Sequence, residues 1–188
     1  YDTHVGYEAM YAFNDVATTP AYATIYQHDD LGLVGAHNGG ATGRNASTAW
    51  GANVFTAERD DTLAAVGFYA LVPNTSVNIE IYRLSSDGVP SSPISDELLL
   101  RQPGVTLKTA GYVTVPLDDY VEISAGECFS VVLKVTTPGY KTPLAIERPR
   151  AETGTTKATG RLGESFYSSS GNKAAWRDFS EIGSQYTG

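Results

Sequence analysis

Apolar and polar residues alternate with a period of two along several short stretches, which is the pattern of β-strands that bury one face. After a turn at Pro73-Asn74, three apolar residues share one parity: Val77, Ile79 and Ile81. The preceding run, 63–72, is apolar on both parities, which predicts an interior strand covered on both sides. Gly67 inside that run indicates a bulge or a close neighbour. We therefore place three consecutive strands, over 48–83, at the centre of the fold.

The same period of two predicts further strands on either side of this centre. They are expected at 5–13, 97–100, 112–117, 129–135, 144–147 and, as a hairpin, at 165–179. No amphipathic helical pattern accompanies them. The sequence therefore predicts an all-β fold, a two-sheet antiparallel β-sandwich, in a single domain over 1–188 with a leading strand and linker over 1–21 and a tail over 180–188.

The stretch 15–47 has no regular period and exceeds an ordinary connection of about 12 to 15 residues. We expect it to be a functional loop or a segment laid across the surface. With Trp50 and the 138–143 turn it forms the predicted recognition surface, because aromatic rings stack on sugars and polar side chains bond their hydroxyls. The candidate ligand-binding residues are Tyr22, Tyr26, Asp29, Asp30, Asn45, Trp50, Asn53 and Tyr140.

The two tryptophans have an alternative role as buried core residues. Trp176 has apolar neighbours, Ala174, Ala175 and Phe179, so we expect it to be buried. For Trp50 the sequence leaves an exposed platform and a core position equally open.

Composition excludes several classes of partner. A net charge of −8 without clustered Lys or Arg argues against a nucleic-acid partner. No apolar run approaches the roughly 20 residues of a membrane span, so no membrane insertion is expected. The chain begins at Tyr1 rather than Met, and we expect it to be an excised or matured piece of something longer.

No catalytic constellation is recognisable, so we predict that the chain is not an enzyme and needs no cofactor. Its one cysteine, Cys128, lies in a predicted strand, which indicates a buried and inert thiol. The three histidines have no metal-binding spacing. Calcium remains open, because acidic pairs in loops either bind it or act as solvated turn residues. The pairs are Asp29-Asp30, Asp60-Asp61 and Asp118-Asp119.

Seven blocks of the sequence, in this order, resemble the lectin-like domain found C-terminal to papain-like cysteine peptidases of bacteria and archaea. They are TIYQHDDLG, STAWGANVFTAE, LAAVGFY, NTSVNIEIY, GYVTVPLDD, SAGECFSVVLKVTTPGYKTPLAIE and SFYSSSGNKAAWRDF. The resemblance covers about 22–179. It implies a jelly-roll sandwich in a multidomain peptidase that is secreted or located at the cell surface. This chain departs from the family in lacking an evident apolar strand after the Trp176 segment.

Two functions are compatible with this resemblance. The first is a non-catalytic accessory domain that binds a glycan or cell-wall polymer and holds the peptidase near its substrate. The alternative is a structural domain that packs on the peptidase domain of the same parent chain and has no ligand of its own. Loop aromatics such as Trp50 favour the first, whereas the long polar stretch 15–47, as an interdomain surface, favours the second.

Overall fold

The computed structural model of the protein describes residues 22–28, 33–40, 47–147 and 160–182. Strands make up 53% of these residues, and no α-helix occurs among them, so the all-β prediction is confirmed. The strands are β1 Gly35–His37, β2 Thr48–Thr56, β3 Asp61–Ala70, β4 Thr75–Leu84, β5 Leu98–Leu107, β6 Gly111–Ile123, β7 Cys128–Thr136, β8 Leu144–Ile146, β9 Ser165–Ser168 and β10 Arg177–Asp178. The strand predicted at 5–13 lies outside the described residues.

Six strands form one large antiparallel sheet in the order β10-β9-β2-β7-β4-β5. Two smaller antiparallel sheets pair β3 with β6 and β1 with β8. The inner face of the large sheet packs against β3 and β6, and this makes the fold the predicted two-layer sandwich. Jelly-roll connectivity stays a prediction.

The core between the two layers follows the alternation read from the sequence. Inward side chains of β4 and β7 have no exposed surface: Val77, Ile79, Ile81 and Phe129. The opposite layer contributes Val115 and Val121 of β6, which are also buried. Each such side chain stabilises the fold by about 1.5–3 kcal/mol relative to an exposed one, so this layer contact holds the sandwich together.

The outer face of the large sheet is covered over part of its area by a second apolar cluster. Its members are Ala52, Val54, Tyr82, Leu84, Cys128, Val132, Phe166 and Trp176. Ile94, from the connection between β4 and β5, packs on this cluster. The burial predicted for two of its residues is confirmed, because Cys128 is 6% and Trp176 8% exposed.

The 61–70 strand differs from its prediction as an interior strand. Among the described residues β3 pairs only with β6, and its side chains are partly buried rather than covered on both faces. Both sets of alternating residues in this strand are apolar for different reasons. One set faces the core, and the other lies on the face where Tyr69 and Tyr112 meet, with ring centroids 5.1 Å apart. The Tyr112 hydroxyl covers Gly67, so the close neighbour expected at this glycine is confirmed.

The stretch 15–47 was predicted as an irregular loop, but it contains the short strand β1, which pairs with β8. Three residues are too few for a visible period. His37 of this strand packs against Tyr167 and Phe179, with ring centroids 4.8 and 5.3 Å away, and its Nδ1 accepts a hydrogen bond from the Gly39 amide. Burial lowers the pKa of His37. These contacts fix the segment on the inner face of the sheet.

Candidate ligand-binding surface

The predicted recognition residues that the structure describes do not share one face of the large sheet. Three of them line a cavity of about 860 Å³ on the inner face: Tyr22, Tyr26 and Asn53. Trp50 lies on the outer face, and Tyr140 follows β7 in a turn where it is 38% exposed. Three others lie outside the described residues: Asp29, Asp30 and Asn45. The structure thus brings the first three together and separates them from Trp50.

The Tyr26 ring is partly buried and packs against the sandwich core. It lies edge-on to Phe129 with the ring centroids 5.3 Å apart, and 6.1 Å from Phe55. Its hydroxyl donates to Asp61 at 3.4 Å, and burial together with this carboxylate raises the pKa of Tyr26. His28 fixes the same segment by stacking on Phe55 at 4.6 Å. A sugar would therefore have to displace core contacts to stack on Tyr26.

The inner cavity has mainly apolar walls. Phe129, Val131 and Leu133 of β7 line it. Asn53 is a polar group on the wall, and its Oδ1 already accepts a hydrogen bond from Ser165 Oγ at 2.9 Å. Gln27, Thr62 and Thr114 also line the cavity, but the apolar share of its wall is larger, so it matches the hydroxyl groups of a sugar less well than a polar surface would.

The described acidic pairs differ in position, because Asp60-Asp61 lies at the turn into β3, whereas Asp118-Asp119 lies inside strand β6 and not in a loop as predicted. Asp60 Oδ1 accepts from the Ala125 amide and Asp61 Oδ1 from the Thr62 amide, both at 2.8 Å, and the second bond helps to lower the pKa of Asp61. Within the described ranges no three His, Cys, Asp or Glu side chains are grouped to bind a metal ion. Calcium binding by these acids stays open as an alternative to a role as solvated turn residues.

Cys128 and His28 both line a cavity of about 490 Å³, but the thiol of Cys128 is not activated. Burial raises the pKa of its thiol, which disfavours the reactive thiolate. Its strand neighbour Ser130 donates to the Pro93 carbonyl rather than to a catalytic partner. This part of the outer face is therefore structural.

The part of the outer face that the described residues leave uncovered carries a row of side chains across three adjacent strands. Trp50 on β2 is paired with Lys134 on β7, which is paired with Asn78 on β4. A parallel row consists of Thr48, Thr136 and Ser76. Adjacent strands are about 4.8 Å apart, so the rows form a surface about 10 Å wide. We call these six partly exposed residues the outer platform.

Trp50 is held in place on this platform from two directions. The Lys134 ammonium lies 5.1 Å from the indole centroid, a cation–π contact. The backbone of Gly171 approaches the indole edge so closely that a Cβ there would lie 2.5 Å from Nε1. Trp50 is thus neither free nor buried, but a positioned ring with part of its surface open.

The polar groups of the platform have partners and spare hydrogen-bonding capacity. The Thr48 and Thr136 hydroxyls lie 3.0 Å apart, so one donates to the other and each keeps a further lone pair. Asn78 Oδ1 accepts from the Gly104 amide at 3.0 Å, which leaves the N–H groups of its side-chain amide as donors. The platform therefore offers both donors and acceptors beside an aromatic ring.

Sequence reasoning found Trp50 and missed its neighbours. Asn78 and Lys134 occupy the polar parity of core strands, where a solvated side chain is the ordinary expectation. The signal that identifies them is the pairing register, which places polar residues of three separate strands side by side. Register depends on contacts between distant segments, so this signal is not visible in one strand.

Comparison with known proteins identifies relatives of this chain. The sequence model of the family described as "Lectin like domain" matches residues 25–187. No curated protein matches the chain. Within the described residues, no helix has the length and apolar character to cross a membrane.

Two solved structures share the fold. One is a clostridial cysteine protease, Cwp84, after propeptide cleavage, with a TM-score of 0.55, 24% identity, and coverage of 72% of this chain and 32% of that chain. The other contains the cysteine protease and lectin-like domains of Cwp84, a surface layer associated protein of Clostridium difficile, with a TM-score of 0.55, 21% identity, and coverage of 72% and 29%. This chain therefore corresponds to about a third of their length.

Proposed function

The chain belongs to the lectin-like domain family, and on this basis we propose that it is a non-catalytic accessory domain of a papain-like cysteine peptidase. In this proposal the domain binds a glycan or cell-wall polymer and thereby targets the enzyme. A solved structure that holds both cysteine protease and lectin-like domains supports the association with a peptidase in the same parent chain. The surface-layer association of Cwp84 supports a secreted or cell-surface location for this domain.

The outer platform is the observation that carries the glycan-binding proposal. An indole supplies a flat apolar surface for the C–H face of a sugar ring, while hydroxyl and amide groups beside it match the sugar hydroxyls. Trp50 and Asn78 provide these two kinds of group in one row. One such patch would bind weakly, about 1 mM or 4 kcal/mol, so tethering to the enzyme would matter more than tightness.

A glycan and cell-wall polymer binding screen tests this proposal. We expect the domain to bind at least one polymer, Trp50→Ala and Asn78→Ala to weaken that binding, and Tyr120→Ala to leave it unchanged. Tyr120 is the matched control, because it is an aromatic residue on β6 in the other layer and is 75% exposed. Equal loss of binding in all three variants, or binding that survives both platform substitutions, would contradict a site at the outer platform.

Packing on the peptidase domain is the second candidate function, and exposed tyrosines of β6 favour it. Tyr112 is 62% and Tyr120 75% exposed, and tyrosine is enriched in protein interfaces. The double substitution of both residues by alanine should then weaken association with the separately prepared peptidase domain. Tight association by wild type, combined with no glycan binding, would favour this function over the first.

A further inference from the structure

The outer platform contains a cation that has no carboxylate partner among the residues that the structure describes. Lys134 lies in the middle of the Trp50 row, and its contact there is with the indole ring. It forms no ion pair with any residue that the structure describes, whereas Arg83 bonds to both Glu97 and Glu127. A partly exposed ammonium at the centre of a binding surface is available to a ligand.

The carboxylate in the adjoining row is already paired. Glu80 lies beside Val132, two residues along β7 from Lys134. Its Oε1 accepts from Arg101 Nε at 2.8 Å, and its Oε2 accepts from Tyr82 Oη at 2.6 Å. The platform is therefore locally positive in a chain whose net charge is −8. That net charge repels anions at long range, so an anionic ligand would depend on this local cation.

From this charge pattern we infer that the outer platform binds an anionic glycan whose carboxylate or phosphate groups pair with Lys134. The inference rests on the proposed glycan-binding function and specifies its ligand class. Trp50 contacts the apolar face of a sugar beside the anionic group, and Asn78 bonds uncharged hydroxyls. A hydrogen bond between two charged groups contributes a factor of about 10 to 100 in affinity.

Matched polymers separate the charge from the sugar backbone. Polygalacturonate and its fully methyl-esterified form share one backbone and differ in charge, and poly(ribitol phosphate) supplies phosphate in place of carboxylate. We expect at least one of the two anionic polymers to bind about tenfold or more tightly than the ester, with affinity that falls as salt is added. The polymer that binds identifies which anionic group is recognised.

Variants of Lys134 test its role in this preference. Lys134→Gln should abolish the preference for the anionic polymer, and Lys134→Arg should retain it because the charge is kept. Arg177→Gln removes an exposed cation from β10. Arg177 pairs with Tyr167, whose side chain belongs to the core beneath the sheet, so Arg177 lies on the opposite face from the outer platform. This control should bind like wild type.

The outcomes separate the inference from the proposed function. Three outcomes would overturn the anionic ligand and leave glycan binding standing. The first is equal affinity for the ester and polygalacturonate without binding of the phosphate polymer. The other two are unaltered affinity in Lys134→Gln and binding of neutral polymers alone. Binding of no polymer in the screen would overturn the proposed function and the inference with it.

Discussion

The two faces of the large sheet are built from the same strands but differ in what covers them. The inner face, with Ile79 and Phe129, packs against a second layer and is mainly apolar, with Asn53 and Gln102 as polar exceptions. The outer face is divided between an apolar part under Ile94 and Trp176 and the open polar platform around Lys134. Burial on the inner face follows from the pairing of two layers, whereas on the outer face it depends on segments far away in sequence.

This difference separates stability from recognition. A side chain that fills the inner face is surrounded by other side chains, so its removal leaves a cavity. A platform side chain borders solvent, so its removal costs little and changes mainly what the surface can bind. The side chains proposed to bind a ligand at the outer platform thus lie where the fold tolerates substitution.

Phe129→Ala should give the largest loss of stability. Phe129 has no exposed surface and contacts the rings of Tyr26 and Phe55, with centroids 5.3 and 5.6 Å away. Truncation of a buried Phe costs about 3–5 kcal/mol through lost burial and the cavity that remains. Chemical denaturation measures the change, and Phe129→Leu should cost clearly less. A loss below about 1 kcal/mol for the alanine variant would show that the inner face is not a packed core at this position.

Alternation predicted the inner face because two layers bury every second residue of each central strand. Val77 and Ile81 were placed correctly for this reason, and the hairpin at β9 and β10 was identified from its turn residues. The extent of β5 was underestimated, since Pro103 and Gly104 interrupt its period and the strand nevertheless continues to Leu107.

The candidate site was less accessible to sequence reasoning. Tyr26 is predicted as a recognition residue because it is an aromatic residue in the long 15–47 stretch, and the structure adds that its ring packs on Phe129. Lys134 falls inside the predicted strand 129–135, where the period of two marks it only as a polar position. Both outcomes depend on contacts between residues far apart in the chain, which a local period does not contain.

Gly171→Ala should give the second largest effect and displace Trp50. Gly171 has φ +71, a conformation that costs other residues about 1–2 kcal/mol. The new Cβ would also press on the indole, and overpacking adds about 1 kcal/mol or more. The free energy of unfolding and the tryptophan fluorescence measure the two contributions.

Gly126→Ala is the matched control for this substitution. Gly126 has φ +79 but no atom within 4 Å of an added Cβ, so it should show the backbone cost without the change in fluorescence. Equal losses and unchanged fluorescence in both variants would show that Gly171 does not position the indole.

Tyr82→Phe should make the free energy of unfolding less dependent on pH in the alkaline range. Burial, and then the hydrogen bond to Glu80, raise the pKa of Tyr82 to about 12. Its unfolded pKa is 10.0. The contribution of protonated Tyr82 to the free energy of unfolding is therefore fully present below pH 10. It is lost as the pH rises toward 12, and the loss is on the order of 2 kcal/mol.

Denaturation at a series of alkaline pH values measures this slope. The wild type should lose stability between pH 10 and 12 more steeply than Tyr82→Phe. Glu80→Gln should narrow the pH range over which stability is lost without removing it, because burial is the larger cause of the raised pKa of Tyr82. Identical slopes for wild type and Tyr82→Phe would contradict the raised pKa.

Asn78→Ala should have the smallest effect on stability and a clear effect on binding. Asn78 is partly exposed and gives up one hydrogen bond, from the Gly104 amide, so the cost should be about 0.5 kcal/mol. Its sequence neighbour Val77 lies on the inner face with no exposed surface, and Val77→Ala should cost about 2 kcal/mol. Denaturation and polymer binding are measured on both variants. The two adjacent positions should then differ in which property they change. Val77→Ala should lower stability but keep polymer binding, whereas Asn78→Ala should keep stability but weaken polymer binding. The opposite pattern would mean that the outer face supports the fold and the inner face holds the ligand.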